Sequence, residues 1–184
     1  GNPKFLQISK DKQTIYYSEN NRIRYFRRVN KKSSPVIAGG VVDNYNADDT
    51  KAYVGEEARF SDVSSIALSK DGKRIFVVDR NNNRIKEVVI ATREMMYLTG
   101  AGGVNLKGDE KNGYADGGAC PNEFDTNVSE CAYLNRPIDS VLSKDGKALY
   151  VSDSGNNRIR KVIVEGEKKG EVTTLAGSGT AGYK

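Results

Sequence analysis

The stretch Ser143–Arg160, SKDGKALYVSDSGNNRIR, occurs three times in this chain in closely related forms. Residues Ser69–Lys86 read SKDGKRIFVVDRNNNRIK, and residues Ser9–Arg24 read SKDKQTIYYSENNRIR. Such self-similarity is the sequence signature of a repeat architecture, in which each unit buries its apolar surface against its neighbours. The sequence therefore predicts three structural units that share one fold.

Each unit is predicted to contain four short strands. The second strand holds the nearly continuous apolar runs IFVV and LYV, which indicate burial on both faces of a sheet. A Ser-Lys-Asp turn precedes this strand and an Asn-rich turn follows it, and Asp, Asn and Gly favour tight turns. The first unit has Lys12 where the others have Gly72 and Gly146, so we expect its turn to differ. The predicted strands are Lys4–Ser9, Thr14–Ser18, Arg22–Val29 and Pro35–Ala38; Ser64–Ser69, Arg74–Asp79, Arg84–Ala91 and Met95–Thr99; and Ile138–Ser143, Ala148–Asp153, Arg158–Val164 and Glu171–Ala176.

Four-stranded units that repeat around an axis are the blades of a β-propeller. We therefore predict an all-β chain of three four-stranded antiparallel blades, either part of a propeller or half of a six-bladed one. The chain, 1–184, is one segment with blades at about 4–40, 58–103 and 132–179. Long loops, 41–57 and 104–131, connect the blades, and loops of this length are often functional. Three blades alone leave two sheet faces uncovered, so we expect self-association to complete the ring.

Several motifs resemble the NHL-repeat family of β-propellers. They are an Asp followed by an Asn-rich turn and Asn157-Arg-Ile-Arg160, the tail Val172–Tyr183, and Gly113–Gly117 ahead of Ala132–Pro137. The resemblance implies a propeller, commonly with six blades, that acts as a protein-interaction or scaffold module. It also leaves two alternatives open, an RNA-binding module and a piece of a propeller lyase or hydrolase whose site lies in other blades.

Histidine is absent from the 184 residues, which excludes Ser-His-Asp and Cys-His catalysis within this chain. The commonest zinc ligand is missing with it, and two cysteines are too few for a Cys-rich zinc site. No set of nucleophile, base and oxyanion donors emerges from the sequence. We therefore expect a protein that is not an enzyme, with no catalytic residues, no metal and no cofactor.

The predicted loops are acidic although the net charge of the chain is +5. In a propeller the long connections and the turns after the second strands share one face, so we expect that face to attract a basic protein or peptide. The competing basic segment is Arg22–Lys32, whose six positive charges accompany Tyr25 and Phe26 and suit a nucleic-acid strand. Side chains of a strand alternate between faces, however, which makes nucleic acid the weaker partner hypothesis. The predicted partner-binding residues are Asp43, Asp48, Asp49, Glu56, Glu57, Asp109, Glu110 and Asp116.

Five charged residues recur at equivalent positions of the units: Arg22, Arg84, Arg158, Asp79 and Asp153. A basic ring for an anionic partner is one interpretation of the arginines. Residues repeated in every blade more often build the blade itself, by bracing its turns or packing between blades. We therefore predict that these five residues are structural.

Cys120 and Cys131 enclose ten residues that include the glycosylation sequon Asn127-Val-Ser129. A disulfide between them would clamp the second long loop of a secreted protein. Two free thiols in a cytosolic protein remain the alternative, so the compartment stays open. The first ten residues lack the apolar core of a signal peptide, and no window approaches the 18 or so apolar residues of a membrane span.

Overall fold

The computed structural model describes residues 2–29, 35–42, 53–100, 115–118 and 132–182. These residues form three antiparallel sheets, and each sheet is built from consecutive strands of one repeat. The all-β class predicted from the sequence is confirmed. Within the described ranges, no helix has the length and apolar character needed to cross a bilayer.

The three sheets have the strand order predicted from the repeat. The first consists of β1 (Pro3–Ile8), β2 (Thr14–Glu19), β3 (Arg22–Arg27) and β4 (Val36–Ala38). The second consists of β8 (Val63–Leu68), β9 (Arg74–Asp79), β10 (Arg84–Val89) and β11 (Glu94–Thr99). The third consists of β12 (Pro137–Leu142), β13 (Ala148–Asp153), β14 (Arg158–Ile163) and β15 (Val172–Ala176). Every predicted strand agrees with the observed one to within two residues at either end.

The turn between the first and second strands of each sheet has the same geometry. Ser9 Oγ donates to Asp11 Oδ1 at 2.5 Å, and the equivalent Ser–Asp contacts of the other two sheets are 2.6 Å. The expected difference at Lys12 is not found, because Lys12 adopts φ 59° where Gly72 adopts 73°. The side-chain hydrogen bonds hold the turn in the left-handed conformation even where the residue is not glycine.

The apolar core consists of two clusters, one on each side of the second sheet. Along β9 the side chains alternate, with Ile75 and Val77 packed toward the first sheet and Phe76 and Val78 toward the third. This alternation explains why the second sheet reads as a continuous apolar run, since both of its faces are buried. β8 lies against both β1 and β12, so the first strands are innermost and the fourth strands form the outer edges.

The connections between sheets add pairings that the repeat pattern does not predict. After the first sheet, β5 (Val41–Val42) pairs in parallel with β7 (Arg59–Phe60), and β6 (Tyr53–Val54) pairs with β11 as a fifth strand of the second sheet. Before the third sheet, Ala115 bridges to Tyr133 and Gly117 bridges to Val172. Each connection thus covers the outer edge of the sheet that it enters, where unpaired backbone groups would otherwise be exposed.

Candidate functional site: the connections and the ion pairs that hold them

A buried acid–base pair lies at the end of the second strand in two of the three sheets. Asp79 Oδ2 is 3.0 Å from Lys86 Nζ in the second sheet, and Asp153 Oδ2 is 2.8 Å from Arg160 Nη1 in the third. All four side chains are 0% exposed. Buried charges are tolerated only when they are paired and hydrogen-bonded, so the remaining contacts of these pairs decide what the pairs do.

Both pairs hold the connection that enters their sheet. Asp79 Oδ1 accepts backbone N–H bonds from Ser61 at 2.9 Å and Asp62 at 3.2 Å, while Lys86 Nζ donates to the carbonyl of Arg59 at 2.8 Å. The carboxylate and ammonium together therefore fix the last residues of the connection before β8. This pattern ties a long loop to the rigid part of the fold.

The third sheet repeats the arrangement at equivalent residues. Asp153 Oδ1 accepts the N–H of Asn135 at 2.7 Å, and Arg160 donates to the carbonyl of Tyr133 at 3.0 Å. The other carboxylate oxygen also accepts from the amide of Asn156 at 2.8 Å, as Asp79 does from Asn82. Asp79 and Asp153 thus organise the Asn-rich turn, the third strand and the incoming connection at once.

Arg160 has further donors and holds a second segment of the connection. Its Nη2 donates to the carbonyl of Ala115 at 2.7 Å and to Asp116 Oδ1 at 2.8 Å. Asp116 Oδ1 also accepts from Thr174 Oγ1 at 3.0 Å. Partial burial raises the pKa of the Asp116 carboxyl, but the hydrogen bonds from Thr174 and the Arg160 guanidinium outweigh it, and the pKa lies below its usual value.

The predicted partner-binding acids differ in exposure and in whether their carboxylates are already bound within the chain. Asp116 is 42% exposed, yet its carboxylate is engaged with Arg160 and β15. Glu56 and Glu57 are exposed on the short 3-10 helix Gly55–Glu57, at the outer edge between the first and second sheets. Asp43, Asp48, Asp49, Asp109 and Glu110 lie outside the described residues, as do Cys120 and Cys131.

The three repeated arginines occupy the start of the third strand in each sheet. Arg84 is 3% exposed and its guanidinium lies 5.6 Å from the ring centre of Tyr97. Arg158 donates to the carbonyls of Asn156 at 3.1 Å and Ser178 at 3.3 Å, and Arg22 is half-buried. These contacts brace turns and strand ends. Because Arg84 is buried, it cannot contribute to an exposed basic ring.

The basic segment that begins at Arg22 does not offer one continuous face within its described part. Arg24 Nε forms an ion pair with Glu19 at 2.8 Å, whereas Tyr25 packs against the core toward the second sheet. Phe26 pairs with Ile15 on the opposite side of the sheet from Tyr25. The alternation separates the aromatic rings, and residues 30–34 lie outside the described ranges.

Lys86 and Arg160 are site residues that the sequence analysis did not identify. The repeat draws attention to the first basic residue after the Asn-rich turn, whereas the buried partner of the Asp is the basic residue two positions later. The available signal was the fixed spacing from Asp79 to Lys86 and from Asp153 to Arg160. Among the described residues, no group of His, Cys, Asp and Glu is arranged to hold a metal ion.

Comparisons with solved structures relate the fold of this chain to β-propeller-like proteins. No family model matches the chain. Protein SUPPRESSOR OF QUENCHING 1, chloroplastic, from Arabidopsis thaliana is 28% identical over 125 residues, which cover 68% of this chain and 10% of that protein. The chain therefore spans only a tenth of the length of this relative.

Solved structures match most of the described chain at low sequence identity. An auxiliary nutrient binding protein from Bacteroides thetaiotaomicron is 18% identical with a TM-score of 0.58, covering 85% of this chain and 36% of that one. The periplasmic gluconolactonase of Pseudomonas aeruginosa is 15% identical with a TM-score of 0.50, covering 95% and 39%. At these identities the likeness establishes the fold alone. The chain has a β-propeller-type fold, and its matches include both a binding protein and an enzyme.

Proposed function

We propose that this chain is part of an NHL-repeat propeller that acts as a binding module for a protein or peptide, with no catalytic role of its own. The observation that carries the proposal is the use of buried ion pairs to hold the inter-sheet connections. Asp79 with Lys86 and Asp153 with Arg160 each fix a connection to the frame through backbone contacts. Recognition residues are commonly found on loops that a rigid scaffold positions in this way.

The charge of the connections favours a basic partner. Residues 39–57 contain five acids and one lysine, and residues 100–131 contain six acids and two lysines. Of these acids, Glu56 and Glu57 are exposed at the outer edge. A surface with an excess of one charge accelerates association with a partner of opposite charge and selects against a like-charged one.

The absence of a catalytic role is supported by how the buried charges are engaged. Asp79, Lys86, Asp153 and Arg160 are fully buried, and each contacts an opposite charge as well as backbone groups. Catalytic acids and bases usually combine a perturbed pKa with access to a cleft. These four residues lie inside the sheets and are used for structure.

Binding of a fluorescent octalysine peptide, followed by fluorescence anisotropy at low salt, tests the proposal. We expect the peptide to bind the wild-type chain and Glu56→Lys to weaken binding by about two- to fivefold, since exposed ion pairs contribute about 0.2–1 kcal/mol each. Glu167→Lys is the matched control, because Glu167 is exposed on the turn between β14 and β15, away from the connections. An equal loss in both variants would contradict the proposal.

The RNA-binding alternative is tested with the same protein. A single-stranded oligouridine that binds more tightly than octalysine, with an affinity that falls steeply with salt, would favour nucleic acid over a protein partner. We expect the opposite order of affinities, because the connections are acidic and the described basic strand β3 divides its charges between two faces.

A further inference from the structure

The turns between the first and second strands lie at the end of the strands opposite the Asn-rich turns and the buried ion pairs. In a propeller-type fold the equivalent turns of successive sheets share one face. The second and third turns are in contact, because a Cβ added at Gly146 would lie 2.8 Å from the Cβ of Lys70. We call the surface formed by these turns the lysine face, after its six exposed lysines: Lys10, Lys12, Lys70, Lys73, Lys144 and Lys147.

The lysines of this face are not paired with the acids beside them. Each turn contains one aspartate, whose carboxylate accepts a serine hydroxyl at 2.5 to 2.6 Å and a backbone N–H at 2.9 to 3.0 Å. Within the part of the chain that the structure describes, none of the six lysines forms an ion pair. Each turn therefore presents two ammonium groups while its carboxylate is held by the turn itself.

The turns between the third and fourth strands bring further acids to the same end of the sheets. Glu165 forms an ion pair with Arg74, and Glu171 lies 3.2 Å from Lys168. Glu167 is exposed there and offsets one of the lysine charges. Because two of these three acids are paired within the chain, the lysine face keeps an excess of positive charge.

The exposure of this face does not depend on the flanks of the first and third sheets. Lys70 and Lys73 belong to the second sheet, which is covered on both faces by the neighbouring sheets, and both lysines are exposed. The lysine face is therefore a surface of the packed propeller-type fold and not part of an uncovered sheet.

An exposed apolar side chain lies at the same end of the first sheet. Val29 follows β3 and is 80% exposed. Arg27 pairs with Thr14 at the start of β2, and the N–H of Arg28 donates to the carbonyl of Gln13 at 3.0 Å, so this segment lies beside the first Ser-Lys-Asp turn. Both arginines are exposed. An apolar side chain next to cations suits the interface of a bilayer, where phosphate groups lie beside hydrocarbon.

We propose that the lysine face binds the surface of an anionic lipid bilayer, with the side chain of Val29 inserted among the headgroups. Each lysine held near such a surface raises the partition coefficient about fivefold. The three turns contain no aromatic residue, so they lack the stacking platform of a single-strand nucleic-acid site. The Asn-rich turns at the opposite end face away from the bilayer, and this binding is independent of the peptide binding proposed above.

Co-sedimentation of the chain with lipid vesicles at low salt tests the proposal. The wild-type chain should bind vesicles of phosphatidylcholine that contain about 30% phosphatidylserine and should not bind phosphatidylcholine alone. Lys70→Glu changes the charge of the lysine face by two units and should lower the partition coefficient about 30-fold. Arg136→Glu is the matched control, because it makes the same change at an exposed residue beside the Asn-rich turn of Asn83 and should lower binding less than about twofold.

Val29→Ser distinguishes a lipid surface from other anions, because it leaves the net charge unchanged. It should lower vesicle binding about threefold and leave the binding of a single-stranded oligouridine as in the wild type. Circular dichroism confirms that each variant folds. Equal binding to the two kinds of vesicle, equal losses in Lys70→Glu and Arg136→Glu, or unchanged vesicle binding by Val29→Ser would each overturn the proposal.

Discussion

The second and third sheets bury an acid–base pair that the first sheet leaves near the surface. The side chains of Asp79, Lys86, Asp153 and Arg160 are 0% exposed, whereas those of Arg24 and Glu19 are 24% and 18% exposed. The backbone of the incoming connection covers the two buried pairs and supplies N–H donors to their carboxylates. Burial of these charges therefore depends on docking of the connections.

The largest effect is expected from breaking a buried pair. Asp79→Asn leaves the Lys86 ammonium buried without its counter-charge, and removal of one partner from a buried pair typically costs about 3–5 kcal/mol. Urea unfolding at neutral pH measures the loss in the free energy of unfolding.

Glu19→Gln in the first sheet is the matched control for this variant. Its partner Arg24 remains near water, so the loss should stay below about 1 kcal/mol. Similar losses in the two variants would refute the distinction drawn between the sheets.

A smaller loss of stability is expected from changing Arg160 in the third sheet to the lysine that the second sheet has at this position. Arg160→Lys can keep the contact with Asp153, as Lys86 keeps its contact with Asp79 in the second sheet. The lysine lacks, however, the donors that reach Ala115 and Asp116. We expect a loss of about 1–3 kcal/mol from the unsatisfied buried groups. Hydrogen exchange at the Gly117 amide, which donates to the carbonyl of Val172, should become faster.

Arg158→Lys controls for the general effect of shortening an arginine in the same strand. Arg158 donates to the carbonyls of Asn156 and Ser178, which lie outside the segment 115–118. Exchange at Gly117 should therefore stay at the wild-type rate, and acceleration in both variants would argue against a specific role for Arg160.

Smaller changes in stability are expected from substitutions in the turns after the first strands. Gly72→Ala places a side chain at φ 73°, where the surrounding space is open, so only backbone strain of about 1 kcal/mol is expected. Lys12→Gly removes the same strain from the first sheet and should stabilise the chain by about 0.5 kcal/mol, because the greater freedom of unfolded glycine offsets part of the gain. Thermal unfolding of both variants measures these changes, and a destabilised Lys12→Gly would contradict them.

The smallest expected effect is a change in pH dependence at Asp116. Because the folded-state pKa of Asp116 is depressed, its stabilising contribution is fully present above the ordinary value of 3.8 and is lost as the pH falls through the folded-state pKa. Asp116→Asn removes this contribution. Its free energy of unfolding should therefore fall less than that of the wild type between about pH 6 and about pH 3. Identical pH profiles would show that the Arg160 contact adds no differential stability.

The strands could be predicted because their signals are local. Ser9, Asp11 and their equivalents close turns through hydrogen bonds between near neighbours, and the Asn-rich turns use the left-handed conformation at Asn83 and Asn157. The short strands β5, β6 and β7 could not be predicted in this way. They form only because the connection meets a distant strand edge, and two-residue pairings carry no periodic pattern.

The candidate site was predictable only in part. The sequence indicated acidic connections and the structural use of Asp79 and Asp153, and the structure describes Glu56 and Glu57 as exposed. It did not indicate that Asp116 is held by Arg160, because those residues are far apart in the sequence and their contact depends on how the connection folds back. A carboxylate in a loop is identical in the sequence whether it faces a partner or a buried guanidinium.

The sequence by itself determined the repeat, the turns and the propeller-type fold of this protein, since these follow from short-range hydrogen bonding and from apolar runs of strand length. Only the tertiary structure decided which charges are buried and which loop acids are already paired. Those properties depend on the segment that packs against a residue, because burial changes the free energy of a charge far more than its sequence neighbours do.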